Sequence, residues 1–189
     1  MTVLPLFPLE TVLFPGAALP IHIFEPRYQA LLRRCRDSGE TFGIVLIREG
    51  YEIGGPAVPF GVGTEAALVA AEDLPDGRSN VLVEGRRRFE IRRLVRGKAY
   101  LEGEVRWLPE EPGDSEAWRR TVLDILGQAG PVEVGPSRDA VDLSYRLADL
   151  LAADAEEKQE LLEAPSAADR LQREALLLLR AHKPIRGAG

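Results

Sequence analysis

The fold turns on the first thirty residues: Leu4-Pro5-Leu6-Phe7-Pro8-Leu9, then Leu13-Phe14-Pro15-Gly16, then Leu19-Pro20-Ile21-His22-Ile23-Phe24-Glu25-Pro26-Arg27-Tyr28. Apolar residues here run between prolines spaced too closely for a helix. Proline has no N–H to give a ladder, so each belongs at a strand end, an edge or a bulge. Residues 1–24 therefore read as two or three short strands of a small curved sheet. Pro26 opens a helix, because the first helical position has no use for its N–H. Tyr28, Leu31, Leu32 and Cys35 follow at i, i+3, i+4 and i+7, a single apolar stripe, with Arg27, Arg33, Arg34 and Arg36 on the wet side. Ser38-Gly39 ends it.

Phe42 to Ile47 is a near-continuous apolar run and reads as a buried strand. Gly50, Gly54, Gly55, Pro56 and Pro59 make a loop, and Gly61 to Ala70 resumes as strand. Leu74-Pro75-Asp76-Gly77 is a turn. Asn80–Val95 and Ala99–Leu108 read as a long hairpin turning at Arg96-Gly97-Lys98, since both arms alternate apolar with charged residues. After Pro109-Glu110-Glu111-Pro112-Gly113 the period becomes helical. Trp118, Val122, Ile125 and Leu126 share one face, and Leu143, Leu147, Leu150 and Leu151 another, with Ser137 expected as N-cap. Leu161-Leu162 marks a short helix, and a last helix starts at Ser166 and stops before Pro184. The expected organisation is α+β: a β-rich domain over residues 1–112 and an all-helical subdomain over 113–189.

Composition narrows the function. Apolar content of 45% with 29% charged residues is that of a soluble globular chain. No apolar run reaches the ~18 residues a membrane span needs. A net charge of −6 disfavours bulk attraction to nucleic acid or anionic lipid. A single cysteine, Cys35, rules out an internal disulfide and a cysteine metal cage, and no signal peptide is visible, so a reducing cytoplasm is expected. There is no P-loop and no G-x-S-x-G elbow. His22 and His182 lie at opposite ends of the chain, so neither a metal nor a cofactor is expected.

Three stretches imitate functional motifs. Gly61-Val62-Gly63-Thr64-Glu65-Ala66 fits a dinucleotide fingerprint in letters but follows a Gly/Pro loop, and reads as a glycine-eased bend in a barrel strand. The basic run containing Arg86, Arg88 and Arg92 reads as cross-strand partners for Glu90, Glu102 and Glu104, with a phosphate-binding stripe as the alternative. Leu176-Leu177-Leu178-Leu179 reads as a helix buried among its neighbours, with a partner-facing surface as the alternative. His22 is expected as a satisfied core histidine, and Glu25 as a carboxylate on the free N–H groups of the first helix.

Leu6-Phe7-Pro8-Leu9, Leu13-Phe14-Pro15-Gly16 and His22-Ile23-Phe24-Glu25-Pro26-Arg27-Tyr28 resemble the opening signature of the Lon protease N-terminal domain. Phe42-Gly43-Ile44-Val45-Leu46, Glu52-Ile53-Gly54-Gly55, Val62-Gly63-Thr64, Asp76-Gly77-Arg78 and Gly85-Arg86-Arg87-Arg88-Phe89 continue the likeness in order. Lys158-Gln159-Glu160-Leu161-Leu162-Glu163 and Asp169-Arg170-Leu171 look like its helical tail. The resemblance implies a PUA-like β pseudo-barrel with one helix, then a helical subdomain. It resembles the stand-alone Lon-domain proteins, without ATPase or peptidase parts, and implies a non-catalytic module that binds unfolded or exposed hydrophobic polypeptide segments, in company with a protease or chaperone. Expected contacts are Tyr51, Phe60 and Trp118 on barrel loops and the groove beside the helical part. An RNA-binding role through Arg86, Arg88 and Arg92, and an adaptor or homo-oligomer docking through the leucine-rich helix, are the alternatives.

Overall fold

One long strand organises the N-terminal half. The computed structural model describes residues 2–54, 57–95, 97–129, 134 and 136–181. Within it, β5 (Ser79–Val95) pairs along one edge with β4 (Ala57–Asp73) and along the other first with β2 (Ala18–Ile23) and then with β6 (Leu101–Trp107). β4 continues to β3 (Phe42–Gly50), β3 runs parallel to β1 (Thr2–Leu9), and β1 returns antiparallel to β6. Five strands thus close into a barrel, and among the described residues β2 is attached to it by one edge. The 13-residue helix α1 (Pro26–Ser38) joins β2 to β3. The fold is α+β.

The prolines explain how β1 is shared. Thr2–Leu6 register with β6 and Leu6–Leu9 with β3. Pro5 lies in the first stretch and Pro8 in the second, so each has a flank without a ladder on which its missing N–H costs nothing. Pro20 sits on the edge strand β2, and Pro59 falls at the register shift opposite Ile47. The stretch Gly61–Ala66 lies inside β4 between β3 and β5 with a register shift at Thr64/Ala66, a bent strand rather than a strand-to-helix turn. β4 is longer at both ends than periodicity suggested, because β5 and β3 supply partners to residues whose own sequence is turn-like.

Among the described residues, two apolar clusters fill the barrel unit. One gathers the α1 stripe of Tyr28, Leu31, Leu32 and Cys35 with Phe7, Leu9, Ile21, Ile23 and Phe42. The other packs Leu4, Leu6, Val45, Phe89 and Val105. Each such leucine or phenylalanine contributes about 1.5–3 kcal/mol by leaving water. Helix α1 begins at Pro26 and stops at Gly39, which takes φ +68° and returns its N–H to the Cys35 carbonyl at 2.9 Å. Glu102, expected on the charged face of the hairpin, is buried, and Arg34 Nη1 and Lys98 Nζ each donate to it at 2.9 Å.

The chain divides into two compact units, Met1–Pro109 and Glu110–Gly189. The second holds α2 (Ser115–Ala129), α3 (Ala140–Leu150), α4 (Ala155–Glu163) and α5 (Ala167–Ala181). Val122, Leu126, Leu143, Leu147, Leu171, Ala175 and Leu178 form its core, with Trp118 half-buried against them. Arg170, fully buried, ties three helices: its Nε donates to the Leu161 carbonyl (3.0 Å), Nη1 to Ser144 Oγ (2.6 Å) and Nη2 to Tyr145 Oη (2.9 Å). Glu174, one turn along α5, is also fully buried, and neither carboxylate oxygen has a hydrogen-bond partner among the described residues.

Two local expectations need correction. Asp139 and not Ser137 caps α3, accepting from Asp142 N at 2.9 Å, because a carboxylate placed directly before the first turn outcompetes a hydroxyl two residues earlier. The four leucines do not surround a buried helix: Leu178 is buried, while Leu176 and Leu179 stay half-exposed, since α5 packs against its neighbours along one stripe. The turn residue Arg96 and the segment containing His182 and Pro184 lie outside the described residues. No described helix is long and apolar enough to cross a membrane.

Candidate functional site

A groove of about 380 Å³ opens on the barrel unit beside β2. Its floor is apolar and buried: Phe7 and Leu9 from β1, Ile21 and Ile23 from β2, and Tyr28 from α1. Phe7 stacks on Tyr28 with ring centroids 4.0 Å apart, and the Arg27 guanidinium covers Tyr28 at 4.5 Å. Burial pushes the Tyr28 phenol up to about 12, against the lowering influence of Arg27, so the ring stays neutral across physiological pH.

The rim is built by a loop held in place from three sides. Arg27 Nη2 donates to Glu25 Oε1 at 3.2 Å and to the Glu52 carbonyl at 3.1 Å. Glu25 Oε2 accepts from Gly54 N at 3.3 Å, and Glu52 Oε2 accepts from Glu10 N at 2.8 Å. Gly54 adopts φ +72°, a left-handed turn that a side chain would strain. The segment 51–54 is thereby fastened to the start of α1 and to the end of β1, and it carries apolar side chains outward. Tyr51 is 73% exposed and Ile53 62%, and Phe24, which also lines the groove, is 42% exposed. Exposed apolar side chains on an anchored loop are the unusual feature, because an isolated flexible loop hides such groups by collapsing.

Glu25 departs from its expected part. It occupies the N-cap position of α1, yet its side chain makes no cap hydrogen bond and is drawn instead to Arg27 and Gly54. His22 is satisfied but not in the core. It lies exposed on β2, with Nδ1 2.8 Å from Asn80 Oδ1, because its strand position points to the wet face. Around the groove the ionisable groups are Glu10, Glu25, Glu52, His22 and the neutral Tyr28. No group of three or more His, Cys, Asp or Glu suited to a metal ion occurs among the described residues.

Of the residues singled out from sequence, Tyr51 is exposed and precedes Glu52 and Ile53, which line the groove, without lining it itself. Phe60 is half-buried in β4 and does not line it, and Trp118 is engaged with the core of the helical unit. Phe24 and Ile53 escaped sequence reasoning, since apolar identity alone does not separate an exposed residue from a core one. The basic run is largely occupied. Arg88 is only 2% exposed and donates to the Pro109 carbonyl at 3.3 Å, and Arg92 donates to Glu90 at 2.9 Å. Arg86 lies 3.7 Å from Glu84. Arg87 pairs with Glu65 at 2.8 Å and covers the Trp107 ring at 3.6 Å.

Residues 3–180 match the family described as the ATP-dependent protease La (LON) substrate-binding domain. The chain belongs to the Lon substrate-binding domain family. A Lon N-terminal domain protein from Xanthomonas campestris shares the fold at a TM-score of 0.73 and 30% identity, over 97% of this chain and 100% of that one. The N-terminal domain of a Mycobacterium avium complex Lon protease superposes at a TM-score of 0.74 over 96% of this chain and 100% of that one, and at 18% identity it speaks for the fold alone. Among full-length relatives, the Lon protease of Parabacteroides distasonis is 30% identical over 145 residues, which is 73% of this chain and 18% of that protein. That of Cytophaga hutchinsonii is 27% identical over 187 residues, or 89% of this chain and 23% of that protein. The chain thus spans about a fifth of the length of these Lon proteases. The likeness to Lon is to its substrate-binding domain.

Proposed function

We propose that this chain is a non-catalytic receptor for polypeptide segments with exposed apolar side chains, which it holds in the groove between β2, the start of α1 and the 51–54 loop. The observation that carries this reading is the exposed Phe24 and Ile53 lining a groove with a floor of Phe7, Leu9, Ile21 and Tyr28. Unfolded chains share exposed apolar groups rather than a sequence, so their receptor needs an apolar surface that tolerates variety. The family's description as a substrate-binding domain supports the same reading. Captured segments would pass to a protease or chaperone.

The test is binding of a reduced, alkylated protein that cannot refold, followed by calorimetry. Losing the burial of Phe24 and Ile53 removes about 1–2 kcal/mol each, so the double variant Phe24→Ser, Ile53→Asp binds about 30- to 800-fold more weakly. Equal affinity of variant and wild type overturns the assignment to this groove. The RNA alternative draws less support, because Arg88 is buried and Arg92 shares Glu90 with Arg106, which donates to it at 2.7 Å. Docking through the helical unit draws on the half-exposed Leu176 and Leu179.

A further inference from the structure

Resting on that reading, we propose how the segment binds: as an added β-strand on the free edge of β2, with a preference for chains that alternate apolar residues and carry lysine or arginine. Among the described residues no strand pairs with the outer edge of β2. The parity of its ladder fixes what that edge offers. The register couples Leu19, Ile21 and Ile23 to Val83, Val81 and Ser79. The Gly85 N–H donates to the Ala17 carbonyl at 2.9 Å, which places the odd-numbered residues of β2 in the hydrogen-bonded positions toward β5. The Leu74 N–H donates to the Arg78 carbonyl at 2.8 Å, so even-numbered residues at the start of β5 turn to β4, in agreement. The backbone groups of Ala18, Pro20 and His22 therefore face outward. They present two N–H donors, at Ala18 and His22, and three carbonyl acceptors, with the one missing donor at Pro20.

This edge is a wall of the groove: Leu19 through Phe24 all line it. A chain laid along it takes its affinity from the backbone groups and places alternate side chains on the same face as Ile21 and Ile23, above Phe7 and Tyr28. Main-chain pairing is blind to sequence, which suits a receptor of unfolded chains. Pro20 also argues against a second copy of this chain as the occupant, because in the centred antiparallel register two prolines oppose each other and both central donors are lost. The charge preference comes from the rim. Glu10, Glu25 and Glu52 line the groove, and the Arg27 guanidinium pairs with Glu25 at 3.1 Å.

The experiment uses the full chain and a fluorescent peptide of about nine residues alternating valine and threonine with a lysine at each end, read by anisotropy. Two further peptides carry N-methyl groups on alternate amides, one on the odd set and one on the even. Strand addition predicts that one methylated peptide binds about tenfold or more weakly and the other within about twofold of the parent. A glutamate-ended peptide binds about tenfold more weakly than the parent, and the gap closes in high salt. His22→Pro, which deletes an outward N–H, weakens binding more than His22→Ala, which keeps it. The methylated pair decides the matter even if His22→Pro fails to fold. If both methylated peptides bind like the parent, or the parent fails to bind while the alkylated protein does, strand addition is overturned and the groove assignment stands. If neither the peptide nor the alkylated protein binds, the receptor reading itself fails. Dimerisation of the free chain that His22→Pro abolishes makes a second copy the occupant and overturns the proposal.

Discussion

Replacing Gly63 with alanine tests whether the glycines of Gly61-Val62-Gly63 serve barrel closure. A Cβ at Gly63 would lie 2.5 Å from the Ile44 carbonyl oxygen, 2.6 Å from Val45 Cγ1 and 2.8 Å from Phe89 Cζ. Ordinary contact begins near 3.4 Å, so β3 and β4 must part by about 1 Å at a point where Gly63 registers with both Val45 and Phe89. The carbonyl belongs to backbone and does not rotate away. Overpacking of this kind costs about 1–3 kcal/mol, and each weakened ladder bond about 1 kcal/mol. The expected loss is thus about 2–4 kcal/mol. Gly61, two residues earlier, has nothing within 4 Å of its Cβ position and no positive φ. Gly61→Ala therefore leaves stability unchanged or raises it by about 0.4–1 kcal/mol. The assay is urea unfolding in a Trp118→Phe background, where Trp107 on β6 is the remaining tryptophan and reports on the barrel alone. With a urea slope of about 1–3 kcal/mol/M, the Gly63→Ala midpoint falls by about 1–2 M. Gly63→Ala within about 0.5 kcal/mol of its parent, or an equal loss at Gly61, refutes the packing argument.

Three further outcomes follow from buried groups. Burial raises the Glu174 carboxyl well above its ordinary range, with Arg170 opposing. The folded carboxyl thus keeps its proton to higher pH than the unfolded one. Its stability contribution is complete below about pH 4 and is lost as pH climbs through the folded value. Glu174→Gln accordingly becomes more stable than wild type toward neutral pH and not at pH 4, and parallel pH–stability curves would contradict this. Arg170→Ala removes three hydrogen bonds, to Ser144, Tyr145 and the Leu161 carbonyl, and the charge that opposes the buried Glu174, and destabilises the helical unit by about 3–5 kcal/mol, measured by loss of helical circular dichroism in denaturant. Cys35 is buried, which pushes its thiol up to about 11 despite Arg34. It reacts with a disulfide reagent at pH 8 only in denaturant, and rapid labelling of the native protein would show the α1 packing to be wrong.

How much was legible depends on the range of the interaction that decides each feature. Strand and helix identity are local, set by proline's missing N–H, by period two against period 3.6, and by the glycine that closes α1. These gave the strands of residues 1–24, the α1 stripe, the β5–β6 hairpin and the change to helices after Pro112 directly from the letters. The exposure of Phe24 and Ile53 was not legible, and neither was the displacement of Phe60 and Trp118 from the groove. An apolar residue looks the same in sequence whether it is packed or displayed. Which outcome holds depends on contacts far along the chain, such as Glu10 N to Glu52 and Glu25 to Gly54.

The sequence by itself therefore determined the elements, the family likeness and the absence of recognisable catalytic motifs. Tertiary structure alone decided that five strands close while, among the described residues, the outer edge of β2 stays unpaired, and that the 51–54 loop is fastened to the start of α1. The physical reason is that backbone pairing carries no side-chain signature. Whether an N–H finds a partner is set by which strand arrives next to it, and that is known only once the chain has closed on itself.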